Sequence, residues 1–234
     1  MKVLRLKLYQ QTACYKKPFA FKVSETYPLP PYSTVKGMLH AVLNATSLIP
    51  MKLSIQGSYD TLLTDYQTHY FFKSDKTDKF TLTAEGLGFD RGLEGDITTM
   101  PIYMHLLYDV TLLIHVKATE AVLQRLQEQL LSATTHLSLG RWEDLVRIDE
   151  CELVEAVAEE RDRDVVLPYN AYVPKELLNE GHYFPYKLNW TYRSVDNVRI
   201  WDKIAVGYVQ KGYTLNAEEE LLFDEKGSCL LFPS

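Results

Sequence analysis

The segment that begins at Ser33 carries residues suited to bind a phosphate group. Apolar residues recur after it at the spacing of an amphipathic helix, and this pattern predicts a helix with Ser33 as its N-cap. The third helical position is Lys36 rather than Glu or Gln, so no capping box closes the helix end. A lysine in the first turn also opposes the positive end of the helix dipole unless an anion binds at the open amides. The helix terminus therefore predicts a phosphate site.

Gly37 follows in the same turn, where a glycine costs about 1 kcal/mol relative to alanine. A close approach of a nucleic acid backbone would explain a glycine at this position. An ordinary helix start with a glycine needed for packing would explain the same residues, and the sequence leaves both interpretations open.

A second candidate site is the segment Gly140, Arg141 and Trp142. The glycine permits a turn, Arg141 offers two parallel hydrogen bonds to a phosphate, and Trp142 offers a face on which a base can stack. Arg141 could equally form an ion pair with Glu143 or Asp144. The types of residue predict an RNA contact, and the neighbouring carboxylates provide the alternative.

Basic residues alternate with aromatic ones at two further places. Lys16 and Lys17 lie between Tyr15 and Phe19, and the same mixture recurs along residues 65–101. Proteins bind single-stranded RNA through this combination of phosphate contact and base stacking. The chain has a net charge of -6, but residues 1–60 contain eight basic and only two acidic residues. A locally basic region can attract a polyanion, because salt limits each field to about 10 Å.

The sequence contains none of the common catalytic motifs for phosphate loops, dinucleotide binding, serine nucleophiles or zinc peptidases. Its six histidines lack metal-ligand spacing, and its three cysteines lie far apart, so we predict neither a metal nor a cofactor. His115 and Lys117 are two residues apart on a predicted strand and could act as acid and electrostatic stabiliser in RNA cleavage. Such a pair more often marks the end of a strand.

Hydrophobic periodicity predicts an α+β fold. The predicted elements are, in order, a strand over residues 2–9, the helix after Ser33, strands over 51–64 and 108–116, a helix over 119–131 and a strand over 146–157. This order is typical of ferredoxin-like, RRM-type domains. From about residue 164 short segments rich in tyrosine and proline predict a small all-β domain. We therefore predict an N-terminal domain over residues 1–160 and a C-terminal domain over 161–234.

Residues 65–101 are too long for an ordinary loop inside a compact domain. Aromatic residues flank a polar tip and a glycine-rich return, which favours a protruding β-hairpin thumb that becomes ordered on a partner. A mobile surface loop is the alternative.

Membrane and secreted proteins are not favoured. No apolar run approaches the roughly 20 residues that span a bilayer, and the N-terminus is charged where a signal peptide would be apolar. We expect a cytoplasmic protein with no membrane partner.

Two separated motifs resemble the CRISPR-associated Cas-five family: YPLPPYSTVKGML at residues 27–39 and LSLGRWEDL at residues 137–145. This resemblance implies a subunit of a type I Cascade complex, with an RRM-like domain, a thumb and a small β domain. The subunit would cap the backbone filament and hold the 5′ handle of the CRISPR RNA (crRNA). The implied partners are the crRNA, the Cascade backbone subunits, the large PAM-reading subunit and, through the complex, target DNA. The overall character of the sequence resembles the type I-B branch.

The resemblance also implies roles for individual residues. Ser33, Thr34, Lys36 and Gly37 would lie against handle phosphates, and Gly140 and Arg141 would line the same hook. The thumb would cross the start of the guide with His69, Lys73, Lys76 and Lys79. One branch of the family cleaves precursor RNA without metal. It uses a tyrosine, a lysine and a histidine, of which the lysine and the histidine are adjacent in sequence. This chain has no Lys-His dipeptide, so we favour a non-catalytic RNA-binding subunit over the alternative, a metal-independent endoribonuclease.

Overall fold

The computed structural model describes most of the chain. The described residues are 1–18, 20, 23–73, 81–82, 93–94, 96–159, 163–179, 181–196, 198–216 and 220–233. Within them, only the backbone is described at residues 69–73, 81–82, 93–94 and 96–99.

The described part of the chain contains two α-helices, one short 3-10 helix and sixteen strands. The helices are α1 Tyr32–Val42, α2 Glu120–Leu131 and the 3-10 helix Lys175–Leu177. The first nine strands are β1 Lys2–Ala13, β2 Val23–Ser24, β3 Lys52–Ser58, β4 Thr61–Lys73, β5 Thr81–Leu82, β6 Leu93–Glu94, β7 Asp96–Lys117, β8 Leu137–Ser138 and β9 Leu145–Glu159. The remaining strands are β10 Val165–Val166, β11 Asn170–Pro174, β12 Phe184–Val195, β13 Val198–Val209, β14 Thr214–Leu215, β15 Leu221–Asp224 and β16 Cys229–Leu230.

Most strands belong to one large sheet, in which the neighbours run β12-β13-β11-β3-β7-β1-β9-β15-β16. Its centre, β3-β7-β1-β9, is antiparallel throughout. Helix α1 precedes β3 along the chain, and α2 connects β7 to β9. The prediction of an α+β fold is confirmed by this mixture of a large antiparallel sheet and two helices.

Strand β1 was predicted to bury one face, and the structure covers part of the other face as well. Leu4, Leu6 and Leu8 alternate on one face and are buried in the main hydrophobic core, as the periodicity predicts. The opposite face is covered as well, because Val3 packs in a cluster with Leu230 from the C-terminal end of the chain. The first part of the strand is therefore buried on both faces, whereas Lys7 and Tyr9 further along are half-buried.

The start of α1 corrects one prediction. The N-cap is Pro31, not Ser33, and the helix begins at Tyr32. The carbonyl oxygen of Pro31 accepts hydrogen bonds from the amides of Thr34 and Val35, which starts the helix two residues earlier than the pattern indicated. Proline is compatible with this position because it has no amide hydrogen to leave unsatisfied. No side chain caps the helix end.

The segment predicted as a thumb begins as a long β-hairpin. Strands β4 and β7 pair from Thr61 opposite Tyr108 to Lys73 opposite Asp96. His69 and Lys73 belong to β4, but their side chains lie outside the described part of the structure, as do Lys76 and Lys79 entirely. The stem of the predicted hairpin is thus a regular antiparallel ladder.

The chain after residue 160 adds strands to both edges of the large sheet. Strand β11 pairs with β3 at one edge, and β15 pairs with β9 at the other. Side chains from the first of these groups, including Tyr172 and Leu188, join the main core. The division into two domains stays a prediction. No helix in the described ranges is long and apolar enough to cross a membrane.

Candidate nucleic-acid interface

Three of the predicted site residues, Ser33, Lys36 and Gly37, line one groove. They lie three and four positions apart on α1 and therefore share a helix face. The opposite wall comes from the hairpin of β12 and β13, and the groove has a volume of about 700 Å³. The residues that line this wall are Trp190, Thr191, Tyr192, Arg199 and Trp201. We call this feature the α1–hairpin groove.

Lys36 is a buried cation in this groove. Its residue is only 6% exposed, and its ammonium nitrogen lies 3.1 Å from the centre of the Trp190 ring. Burial lowers the pKa of Lys36 to about 8, and no carboxylate of the described residues offsets that effect. The Trp190 ring is itself held edge-on to Tyr32, with ring centres 5.2 Å apart. A phosphate in the groove would supply the negative charge that the described residues do not supply.

Gly37 is exposed, and its position does not require a glycine for packing. A methyl group built at Gly37 would have no atom within 4 Å, and the backbone is ordinary helix. The alternative of a packing glycine is therefore not supported. The missing side chain leaves open space beside Lys36, into which a ligand can approach the helix backbone closely.

Ser33 and Thr34 occupy the second and third helical positions, because the helix starts at Tyr32. Both are half-buried. The first amides of a helix have no acceptor one turn earlier within it, and here the amides of Thr34 and Val35 both donate to the carbonyl of the N-cap Pro31. One turn further on, His40 is fixed by its own hydrogen bonds, since its Nδ1 donates to the carbonyl of Lys36 and its Nε2 accepts from the amide of Ile49.

The second candidate segment is a tight turn built around Asp144. This buried carboxylate accepts hydrogen bonds from the amides of Cys14 and Arg141, at 2.9 and 2.8 Å. Gly140 has a φ of +115°, and a Cβ there would lie 2.7 Å from the Asp144 carboxylate. Glycine is therefore required by the fold at this position, in contrast to Gly37.

Arg141 forms the ion pairs that the sequence offered as the alternative. Its guanidinium group lies 2.7 Å from Asp144 and 2.8 Å from Glu143. A phosphate bound by Arg141 would have to share the guanidinium with these carboxylates. Trp142, by contrast, is 85% exposed, so its ring is available for stacking.

Lys16 and Lys17 lie next to this turn, because the hydrogen bond from Cys14 to Asp144 joins the two segments. Lys16 is exposed, whereas Lys17 forms an ion pair with Glu25 and lies 5.9 Å from the centre of the Tyr186 ring. Tyr186 and Trp190 are both on β12, so this strand runs from the neighbourhood of Lys17 to that of Lys36. Four residues of a strand span about 13 Å.

His115, the residue proposed for RNA cleavage, is buried in the core. Its Nε2 lies 3.0 Å from Asp224, and Asp224 also accepts a hydrogen bond from Arg5. The side chain is fully covered, whereas Lys117 is exposed at the end of its strand. The two side chains are therefore not exposed on a common surface, and His115 joins β7 to the C-terminal strand β15.

Four residues of the groove were not singled out from the sequence: Trp190, Tyr192, Arg199 and Trp201. The sequence did predict β structure in this C-terminal region. It gave no indication that β12 would pack beside α1, because a contact between residues some 150 positions apart depends on the tertiary fold.

These features define a class: an α+β protein with a groove that combines cations and aromatic rings beside a helix terminus. The sequence profile of the CRISPR-associated protein (Cas_Cas5) family matches residues 3–206. Because the match covers most of the chain, the chain belongs to this family.

Several solved structures resemble this chain. A chain of a "CRISPR RNA-guided surveillance complex" is 15% identical, with a TM-score of 0.56 and 91% of each chain covered. A CRISPR protein from Archaeoglobus fulgidus is 12% identical, with a TM-score of 0.47 and 98% of each chain covered. A chain of a type III-B Cmr-beta complex bound to cognate target RNA and AMPPnP is 12% identical, with a TM-score of 0.43, over 93% of this chain and 86% of that one. No curated protein matches the sequence significantly. The first of these likenesses indicates a shared fold.

Proposed function

We propose that this protein is a non-catalytic, RNA-binding subunit of a CRISPR effector complex of the Cascade type, and that it holds the 5′ handle of the crRNA and caps the backbone filament. Membership of the CRISPR-associated family and the fold shared with a chain of an RNA-guided surveillance complex support this proposal. The backbone subunits, the large PAM-reading subunit and, through the complex, target DNA would be its partners. It would act in the cytoplasm, in a complex of type I-B character.

The observation that carries the proposal is the pairing of Lys36 with Gly37. Lys36 is a cation held in a buried position with no carboxylate of the described residues to balance it, and Gly37 leaves the adjacent helix surface open. Each feature costs stability in the isolated protein. Both costs are offset if a phosphate of the RNA binds at the start of α1.

The other candidate residues extend this contact. Ser33 and Thr34 would add hydroxyl and amide donors at the helix terminus, and Trp142 would stack on a base beside the turn that Gly140 and Arg141 form. Lys16 and Lys17 would contribute electrostatic attraction from the neighbouring segment. The thumb residues His69, Lys73, Lys76 and Lys79 would cross the start of the guide.

The fold is consistent with a ferredoxin-like, RRM-type domain. Strands β1, β3, β7 and β9 correspond to strands 1 to 4 of a strand-helix-strand-strand-helix-strand unit. They lie side by side in the order β9-β1-β7-β3, which is the order 4-1-3-2. The extended β4–β7 hairpin would serve as the thumb, and residues 161–234 would form the small β domain.

RNA binding by the full chain tests the proposal. Labelled single-stranded repeat RNA is titrated at several salt concentrations with the wild type, Lys36→Ala and Lys187→Ala, the last being an exposed lysine of β12 outside the groove. We expect Lys36→Ala to weaken binding and to lower the salt slope by about 0.7, the value for one lost contact to a single strand. Equal slopes for Lys36→Ala and the wild type would contradict a phosphate at Lys36.

The non-catalytic role is tested separately. The purified chain is incubated with repeat RNA in EDTA, and we expect the RNA to remain intact. Cleavage at a defined position would show that the protein is the metal-independent endoribonuclease, and would require a catalytic group other than the buried His115.

A further inference from the structure

The hairpin wall of the α1–hairpin groove carries two aromatic rings and an arginine on one surface. Tyr192 and Trp201 are direct register partners on β12 and β13, with ring centres 5.1 Å apart. Arg199 lies two residues from Trp201, and its guanidinium carbon is 4.7 Å from the centre of the Tyr192 ring. Because paired and alternate strand residues share a face, the three side chains form one continuous surface.

No aspartate or glutamate is among the described residues that line the groove. Arg193 and Asp202 form an ion pair at 3.8 Å, and each is adjacent in sequence to one of the two stacked aromatic residues. Neighbouring residues of a strand point to opposite faces, so this pair belongs to the other side of the hairpin. Among the described residues that line the groove, Lys36 is the one lysine and Arg199 the one arginine.

We propose that the α1–hairpin groove holds one unstacked nucleotide of single-stranded RNA, with its base on the Tyr192–Trp201 surface and its phosphate between Lys36 and Arg199. This inference rests on the proposed function and extends the RNA contact from the helix terminus to the C-terminal hairpin. Proteins that bind single-stranded RNA stack bases on aromatic rings and arginine planes in this way.

The dimensions and charges of the groove fit this occupant. Its volume of about 700 Å³ is within the range for sites that enclose small ligands. Tyrosine, tryptophan and arginine also form the centres of many protein interfaces. A nucleotide is favoured because the groove gathers two cations beside the open surface at Gly37, an arrangement that complements a phosphate.

The test separates contacts to the base from contacts to the backbone. The full chain is titrated with a 12-nucleotide oligoadenosine and with a matched 12-mer of stable abasic residues. The variants are Tyr192→Ala with Trp201→Ala, Arg199→Gln, and Phe184→Ala as an exposed aromatic control at the far end of β12. Urea unfolding verifies that each variant is folded.

We expect the double variant to lose about tenfold in affinity for oligoadenosine and little for the abasic strand, because stacking is the interaction removed. Arg199→Gln should weaken both strands by similar factors, and Phe184→Ala should affect neither. Suppose that the wild type binds oligoadenosine, but the double variant loses affinity by the same factor for both strands, or loses none for either. The proposed nucleotide site is then wrong, while the proposed function stands. If the wild type binds neither strand at low salt, the proposed function itself fails. Full RNA binding by the double variant, together with failure to assemble with other subunits, would instead identify the surface as a protein contact.

Discussion

The ammonium group of Lys36 lies 3.1 Å from the centre of the Trp190 ring. One residue belongs to the first helix and the other to a strand near the C-terminus, so two distant parts of the chain form a single cationic and aromatic surface. The pair places a buried charge where the described part of the chain supplies no carboxylate, and this predicts a trade-off between stability and binding.

Replacement of Lys36 by methionine should stabilise the free protein. Burial lowers the pKa of Lys36 from 10.5 to about 8 in the folded state, so the unfolded chain binds more protons between these values and stability rises with pH there. The penalty is fully present below pH 8, where it is about 3 kcal/mol. We expect Lys36→Met to raise the free energy of unfolding by about 1–3 kcal/mol at pH 7, with a smaller difference at pH 10, and to weaken RNA binding. Urea unfolding at both pH values checks this. A less stable variant at pH 7 would show that the contact with Trp190 outweighs the cost of burial.

Gly37→Ala should likewise separate stability from binding. A methyl group at this position meets no atom within 4 Å, so alanine is expected to stabilise the helix by about 0.5–1 kcal/mol. The same methyl group would obstruct an approaching RNA backbone and lower the affinity for repeat RNA. Thermal unfolding and RNA titration of one preparation measure both effects.

Gly140→Ala is the matched control for that variant. Its positive φ and its closeness to Asp144 predict destabilisation by at least about 1 kcal/mol. If Gly37→Ala destabilised the protein to a similar extent, the open space beside Lys36 would have no special role.

Trp142→Ala should reduce RNA affinity with almost no change in stability. The side chain is 85% exposed, and surface substitutions of this kind usually change stability by no more than about 0.5 kcal/mol. Loss of one stacked base is expected to cost about 1–3 kcal/mol of binding free energy.

Asp144→Ala provides the contrast to Trp142→Ala. It removes the acceptor of two backbone amides and the ion pair of Arg141, and it should destabilise the fold by about 3 kcal/mol or more. Unchanged RNA affinity in Trp142→Ala would remove this turn from the interface.

The buried pair of His115 and Asp224 predicts loss of stability in acid. Burial lowers the pKa of His115 in the folded protein. As the pH falls through 6.5, this histidine is therefore protonated in the unfolded chain before it is protonated in the folded one, and the folded state loses stability. Burial opposes ionisation of Asp224, but hydrogen bonds from His115 and the amide of Ser228 lower its pKa to about 2, and its contribution is lost below about pH 4.

His115→Gln tests this, because glutamine can still donate to Asp224 but does not titrate. The wild-type free energy of unfolding should fall by up to about 1.4 kcal/mol per pH unit below 6.5 through His115, and the variant should lose that part of the slope. Identical slopes between pH 7 and 5 would show that His115 does not control it.

Local sequence patterns were sufficient to predict the two α-helices and the four central strands of the large sheet, although not all of their bounds. The apolar alternation of β1 and the helical spacing of α2 are properties of adjacent residues, so they can be read without knowledge of the fold. The start of α1 was wrong by two residues, because Pro31 supplies its carbonyl as the first acceptor and Ser33 makes no cap. Cap geometry depends on backbone angles that residue types favour but do not dictate.

The sequence by itself determined that Lys36 and Gly37 would stand together near a helix terminus and that Arg141 would have carboxylates beside it. Only the tertiary structure decided that Arg141 is held by the buried Asp144 and that Lys36 lies on Trp190 rather than in water. It also decided that the C-terminal strands add to both edges of the first sheet. The reason is physical: spacing along the chain specifies local conformation, whereas burial and charge pairing depend on which distant segments the packed core brings together.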